Sequence, residues 1–281
     1  FSARQSCSHR VYLLLYLASS GGAKQAAVVL GPVLGGLLYL LGPAVVYGTG
    51  AVFYLAASLL IGVVRVEQQA PSTQEPVTLA TVFAGLTYIR SKPVVLGAIT
   101  LDLFAVILGG ATALLPIYAK DILDTGPWGL GLLRAAPAVG AVAAATWLVH
   151  HPIQRSMGLI LFASIMAFGA FTILFGISTA LPLSLLWLAL LGGVDMVSAV
   201  IRRSLIQLET PNEMRGRVSA IHSIFTGSSN QLGQFESGLT AAWWGTVPAV
   251  VVGGLGTVLV AALWMKWFPD LLRRQRIDVV P

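Results

Sequence analysis

The sequence has 281 residues, of which 56% are hydrophobic and 10% are charged, and its net charge at pH 7 is +6. A soluble globular domain carries about 25% charged residues, so this composition excludes an ordinary soluble protein and indicates a membrane protein. The basic residues form no stripe interleaved with aromatic residues, which argues against a nucleic-acid partner, and a single cysteine, Cys7, excludes an internal disulfide and a cysteine-based metal cluster.

Eight apolar stretches have the roughly 20 residues that a membrane-spanning helix needs. In chain order they are 20–41, 44–64, 93–119, 127–149, 157–178, 182–206, 218–243 and 246–268, and Gly, Pro or charged residues separate them. We therefore predict an all-α polytopic membrane protein with about eight transmembrane helices.

The distribution of Lys and Arg predicts how these helices are oriented. All but two of the 17 Lys and Arg residues fall on one predicted face of the membrane, and the exceptions are Lys120 and Arg134. By the positive-inside rule the basic face is cytoplasmic. The C-terminus is therefore predicted to be cytoplasmic.

The longest cytoplasmic connection, residues 65–92, divides the chain. It begins with a polar segment that contains proline and continues with apolar residues at helical spacing, which predicts an amphipathic helix along the membrane face. Those apolar residues are Leu79, Val82, Phe83, Leu86 and Ile89. We predict two helices of a first bundle in 1–64, a linker in 65–92, a six-helix bundle in 93–268 and a cytoplasmic tail in 269–281.

Four of the six helices after the linker carry one charged residue in their interior: Asp102, Arg134, Asp195 and Glu236. A charged side chain within the membrane is costly, so each is a functional hypothesis. A role in a substrate or proton pathway, with the third and sixth helices facing lipid, fits two three-helix repeats. The alternative is structural, in which Asp102 or Glu236 pairs with Arg134 and holds helices together.

The predicted helix 218–243 carries a polar stripe. At about 100° per residue, one face collects Ser219, His222, Ser223, Thr226, Ser229, Asn230, Gly233, Glu236, Ser237 and Thr240. Such a stripe faces protein or water rather than acyl chains. Two interpretations stay open, a wet cavity with Asn230 in the pathway or interhelical hydrogen bonding with glycine packing.

No Gly-x-x-x-x-Gly-Lys-Ser/Thr phosphate loop and no nucleophile-elbow motif occur in the sequence. We therefore expect neither an ATP-driven pump nor a serine hydrolase. We also expect no catalytic residue and no metal site.

Four segments of the sequence resemble the major facilitator superfamily, and within it the enterobactin-exporter-like group, also called transmembrane secretion effectors. These segments are 31–39, 101–119, 131–141 and 195–242. The family fold consists of two six-helix bundles, so the predicted helices look like the fifth to twelfth of twelve and the chain looks N-terminally truncated. Gly31, Pro32, Gly35 and Gly36 match the end of the motif that marks exporters.

The resemblance implies proton-coupled export by alternating access, as an antiporter in the bacterial inner membrane. It implies a siderophore or an amphiphilic drug-like molecule as substrate, the proton gradient as energy source, no cofactor, the lipid bilayer as surroundings and a monomeric state. We further predict that Arg215, Gly216 and Arg217 form a cytoplasmic gating loop that contacts neighbouring helix ends.

Two alternatives remain for the function. The first is a fragment of such a transporter with no transport activity of its own. The second is a membrane-embedded enzyme that modifies lipids, which would need His, Asp or Arg clustered at one membrane face. The charges within the predicted helices are instead spread one per helix.

Overall fold

The computed structural model describes residues 27, 30–63, 79–151, 153 and 156–273, and its regular structure in these ranges is helical. The helices are α1 (Leu30–Tyr39), α2 (Pro43–Val63), α3 (Leu79–Ser91), α4 (Pro93–Leu108), α5 (Leu115–Ile117), α6 (Gly126–His150), α7 (Met157–Gly176), α8 (Leu181–Glu209), α9 (Asn212–Trp244), α10 (Thr246–Trp267) and α11 (Pro269–Leu272). The predicted all-α class is confirmed.

Six of these segments are long and apolar enough to cross a membrane. They are Pro43–Val63, Pro93–Ile122, Gly126–His150, Met157–Gly176, Leu181–Glu209 and Thr246–Trp267. Helix α9 has 33 residues, but its polar stripe lowers its hydropathy, and α1 is short in the described range. The chain is therefore a multi-pass membrane protein, and the spans over 20–41 and 218–243 remain predictions.

The predicted span 93–119 is not one regular helix. After α4 the chain forms a 3-10 turn (Ala111–Leu114), then α5, then a π turn (Tyr118–Ile122). The break falls at Gly109 and Gly110, two poor helix formers. A Cβ on Gly110 would lie 2.7 Å from the carbonyl carbon of Gly233 in α9. Close packing against α9 therefore occurs where the helix changes type.

The connection between α8 and α9 is shorter than the sequence suggested. Helix α8 ends at Glu209 and α9 begins at Asn212, so Arg215, Gly216 and Arg217 lie in the first turns of α9 and the prediction of a loop there is wrong. Thr210 precedes a proline and is extended, at φ −111° and ψ 120°, because the proline ring disfavours the helical conformation at the preceding residue. The helix restarts immediately after Pro211.

The helices from α4 to α10 pack around a common core. Helix α8 contacts α6 and α7, α10 contacts α7, and α4 contacts α9 and α10. Core side chains include Leu101, Phe162, Ile201 and Leu271, each 0% exposed. Helices α7 and α10 each bury one face in the core. Helix α10 leaves an apolar stripe exposed, and the lipid-facing position of α7 and α10 remains a prediction.

Helix α3 confirms the predicted helix in the linker. In the described part of its apolar face, Ile89 is buried in a cluster with residues of α4 and α9, among them Val95 and Ile221. Gly85 approaches α9 so closely that a Cβ there would lie 2.6 Å from Cδ1 of Ile221. The protein itself therefore covers α3 around Gly85 and Ile89. Residues 64–78, which include most of the polar part of the linker, lie outside the described residues.

Tyr88 joins α3 to the end of α8, and removing its hydroxyl should destabilise the protein. The hydroxyl donates a hydrogen bond to the carbonyl oxygen of Glu209. Burial, reinforced by the Glu209 carboxylate, raises the pKa of Tyr88, so the group stays a neutral donor. We expect Tyr88→Phe to lower the free energy of unfolding by about 1 kcal/mol, as measured by thermal unfolding in detergent. Ser91→Ala, which removes a hydroxyl bonded within α3 itself, is the control, and equal unfolding midpoints for both variants would refute this role.

Candidate functional site

One face of α8 presents a ladder of polar residues. Asp195, Ser198 and Arg202 are spaced by three and four residues, which places them on the same side of a helix. The Nη1 of Arg202 donates to Ser198 Oγ at 2.7 Å. Ser198 Oγ in turn donates to the backbone carbonyl of Asp195 at 3.1 Å. The guanidinium therefore points along α8 towards Asp195.

Arg202 forms a buried ion pair with Asp102 of α4. The Nη2 of Arg202 lies 2.8 Å from Oδ1 of Asp102, and the two side chains are 8% and 5% exposed. Thr226 of α9 lies beside the same carboxylate. Three helices therefore meet at one charge-neutral pair.

The alternative in which Asp102 pairs with Arg134 is wrong. Asp102 lies nine residues from the start of α4, or about 13 Å, and Arg202 lies seven residues before the end of α8, or about 10 Å. Because these two helix ends are at the same predicted membrane face, the side chains meet at one depth. The depth of Arg134 is instead counted from the opposite predicted face of the membrane, because α6 begins at that face.

A cavity of about 380 Å³ lies farther from the predicted cytoplasmic face than this pair, and we call it the central cavity. The end of α4 and helices α6, α7, α8 and α9 line it. Its polar side chains are those of Thr112, Arg134, Asp195, Asn230 and Gln234. The structure thus brings together three of the five predicted pathway residues, Arg134, Asp195 and Asn230.

The other two predicted pathway residues do not line the central cavity. Asp102 is 3% exposed and is held by Arg202. Glu236 is half-buried on α9, one to two turns from Asn230. A pathway role for either residue remains a prediction.

The polar stripe of α9 both packs against another part of the protein and lines the central cavity. A Cβ on Gly233 would lie 2.7 Å from the carbonyl oxygen of Val106 in α4, and Ser237 Oγ lies close to Gly110, just after α4. Asn230 and Gln234 instead turn into the central cavity. Glycine packing therefore holds one edge of the stripe while amides on the other edge line the cavity.

The predicted exporter motif lies against α6. A Cβ on Gly36 would lie 2.7 Å from the carbonyl oxygen of Pro127, and a Cβ on Gly131 would lie 2.7 Å from that of Pro32. The two backbones can approach this closely only because both helices carry glycine at the crossing. A Cβ on Gly31 or on Gly35 would instead meet no other atom within 4 Å.

A second cavity, of about 650 Å³, lies beside this crossing, and we call it the α1–α6 cavity. Its lining includes all four motif residues, together with residues of α2, the segment 116–120 and α6. The lining residues are Gly31, Pro32, Gly35, Gly36, Tyr39, Val46, Pro116, Ala119, Lys120, Gly126, Pro127, Leu130, Gly131 and Arg134. Arg134 therefore borders both cavities.

The charge pattern of the sequence does not single out Arg202 as a site residue. The positive-inside rule groups it with the cytoplasmic charges, although it lies within the predicted span 182–206 and seven residues after Asp195. That position inside the span was an available signal. Gln234 and Thr112 carried no comparable signal, because neutral polar residues are common in membrane helices.

The arginines near the start of α9 contact the adjoining helix end and their own helix. Arg215 Nη2 donates to the backbone carbonyl of Gln207 in α8 at 3.3 Å, and Arg217 Nη1 lies 3.8 Å from the sulfur of Met214. Gly216 has open space around it. The predicted contact with a neighbouring helix end is present for Arg215, within helix α9 rather than in a loop.

Comparison with known proteins finds relatives along most of the chain. Enterobactin exporter EntS of Citrobacter koseri is 25% identical over 257 residues, which cover 90% of this chain and 61% of that protein. Enterobactin exporter EntS of Escherichia coli O1:K1 is 25% identical over 249 residues, covering 87% of this chain and 59% of that protein. Enterobactin exporter EntS of Shigella flexneri is 24% identical over 249 residues, which cover 87% of this chain and 58% of that protein.

The chain spans about three fifths of the length of these relatives. The family model of the Major Facilitator Superfamily matches residues 13–234, which is most of the sequence. This match agrees with the helical architecture and with the glycine-rich contact of α1 on α6. The chain belongs to the Major Facilitator Superfamily.

Proposed function

We propose that this chain acts in secondary active export, moving a siderophore or a similar amphiphilic molecule out of the cytoplasm in exchange for protons. The observation that carries the proposal is the central cavity, where helices of a membrane protein bring Arg134, Asp195 and Asn230 together. Charged and amide groups within a membrane mark ion and substrate paths. The similarity to proteins named enterobactin exporters supports a siderophore as the substrate.

Asp195 is the proposed proton carrier. Asp195 is an exposed residue that lines the central cavity, fourteen residues before the end of α8, or about 21 Å from the predicted cytoplasmic face. Asp102, by contrast, is shielded by Arg202. A carboxylate open to the cavity can gain a proton from one side of the membrane and lose it to the other as access alternates.

Export can be measured in cells that lack their own enterobactin exporter and express the whole chain. We expect enterobactin to appear in the medium, and we expect Asp195→Asn to reduce its rate of appearance by roughly tenfold or more, which corresponds to about 1.4 kcal/mol on the transport barrier. The amide keeps the shape of the side chain but cannot exchange a proton. Asp270→Asn is the matched control, because Asp270 is exposed on α11 away from both cavities.

Three results would count against parts of this proposal. Membranes that contain the inserted chain but export nothing would refute export by this chain. Equal rates for Asp195→Asn and the unchanged chain would refute the proton-carrier role. Export that continues unchanged when a protonophore collapses the gradient would refute proton coupling.

A further inference from the structure

Two basic residues depart from the charge distribution of the whole chain, and the structure brings them to one place. Lys120 and Arg134 are the two Lys and Arg residues outside the predicted cytoplasmic face. Both line the α1–α6 cavity, although they lie on different elements, the π turn and α6. Their shared position suggests a reason for tolerating positive charge on the disfavoured side of the membrane.

The described wall of this cavity offers neither cation a counter-charge. None of the described residues that line it carries a carboxylate. Among the described residues, neither Lys120 nor Arg134 forms an ion pair or a hydrogen bond. The rest of the wall is apolar or glycine, with one aromatic ring, that of Tyr39.

Lys120 and Arg134 are both exposed, so each can donate charge-assisted hydrogen bonds to an anion that lies between them. The volume of about 650 Å³ falls in the range of small-molecule sites. A wall that is mostly apolar with a few convergent polar groups is also typical of such sites. The cavity therefore matches one molecule that combines an apolar body with a negative group.

We propose that the α1–α6 cavity binds a small amphiphilic anion. Its negative group lies between Lys120 and Arg134, and its apolar body packs on Tyr39, Leu130 and Pro32. This deepens the proposed export function by naming the charge class of the substrate. Arg134 also borders the central cavity, so this residue is placed to contact the ligand in either cavity.

Binding of two matched dyes tests this inference without any transport measurement. Anilinonaphthalene sulfonate is an amphiphilic anion, and phenylnaphthylamine is the same molecule without the sulfonate. The whole chain is purified in a neutral detergent, and dye fluorescence is titrated. We expect Lys120→Gln and Arg134→Gln each to raise the Kd of the sulfonate by about tenfold, and the double variant to raise it by about a hundredfold. The Kd of phenylnaphthylamine should stay unchanged.

Two control variants isolate the charge from other effects. Arg134→Lys keeps the positive charge and should retain most of the sulfonate affinity. Lys266→Gln removes an exposed cation near the end of α10, at the opposite predicted face, and should leave the Kd unchanged. An equal loss of affinity in Lys266→Gln would show that net charge alone attracts the dye and would overturn the site.

Other results would also overturn the inference. Equal sulfonate affinity for the unchanged chain and the double variant would show that the two cations only reach towards the membrane surface. Parallel loss of the uncharged dye would show that charge is not what the cavity recognises. In lipid nanodiscs, displacement of the sulfonate by phosphatidylglycerol but not by phosphatidylcholine would identify a lipid headgroup as the occupant. A chain that binds the sulfonate but exports nothing would refute the proposed function and leave this site standing.

Discussion

Arg202→Met is expected to lower the free energy of unfolding by about 3–5 kcal/mol, because it leaves the carboxylate of Asp102 buried without its counter-ion. Asp102 is 3% exposed and lies 2.8 Å from the guanidinium that this substitution removes. Methionine fills a similar volume, so lost charge rather than lost packing dominates the effect. Thermal or denaturant unfolding of the purified chain in detergent, followed by circular dichroism, measures the change.

A double variant distinguishes an uncompensated charge from a simple loss of contacts. Asp102→Asn combined with Arg202→Met leaves no buried charge, so its stability should recover by a large part of the loss in Arg202→Met alone. Arg203→Met serves as the positional control, because Arg203 is adjacent but exposed, and it should change stability by less than about 0.5 kcal/mol. Strictly additive losses in the double variant would mean that the two residues do not interact energetically.

The positions of the long helices followed from the sequence because their apolar runs end at strong local signals. The predicted span 127–149 corresponds to Gly126–His150, and 246–268 corresponds to Thr246–Trp267. Glycine and proline bound both helices at their first turns. The interruption at Gly109 and Gly110 was not predictable from hydropathy, because the sequence stays apolar across it. A tertiary contact with Gly233 of α9 accompanies the change of helix type.

The candidate site followed from the sequence only in part. Charges within spans identified Arg134 and Asp195 as unusual, and both line the central cavity. The free-energy cost of a charged side chain in the membrane depends on that residue alone. A single sequence is therefore enough to recognise such residues. The pairing of Asp102 with Arg202 depends on the rotation and depth of two helices that are about a hundred positions apart in the chain. No local pattern encodes that geometry.

Gly192→Ala is the second substitution with a large expected effect, because α6 and α8 touch through their backbones at this position. A Cβ on Gly192 would lie 2.6 Å from Cα of Pro137 and nearer still to the carbonyl group of that residue. Gly140 of α6 makes the reciprocal approach to the carbonyl of Ala189. Backbone atoms cannot rotate away as side chains do, so the helices must separate, at a cost of about 3 kcal/mol.

Separation of α6 from α8 should also impair function, because these helices carry Arg134 and Asp195, which both line the central cavity. We expect Gly192→Ala to lower the unfolding midpoint and to abolish export in the same cell assay. We expect Arg202→Met to impair export less than Gly192→Ala does. The ion pair that it removes joins α8 to α4 rather than α6 to α8, and neither of its residues lines the central cavity.

The neighbouring residue supplies a matched control for Gly192. A Cβ on Gly193 would lie 3.4 Å from the carbonyl oxygen of Gly140, an ordinary contact distance. Alanine also favours a helix over glycine by up to about 1 kcal/mol, so Gly193→Ala should leave stability unchanged or raise it slightly. Opposite effects of alanine at two adjacent positions would show that the depth of the α6–α8 contact, and not helix propensity, sets the stability here. Equal unfolding midpoints for the two variants would mean that α6 and α8 can separate without cost and that close backbone contact does not hold the cavity wall.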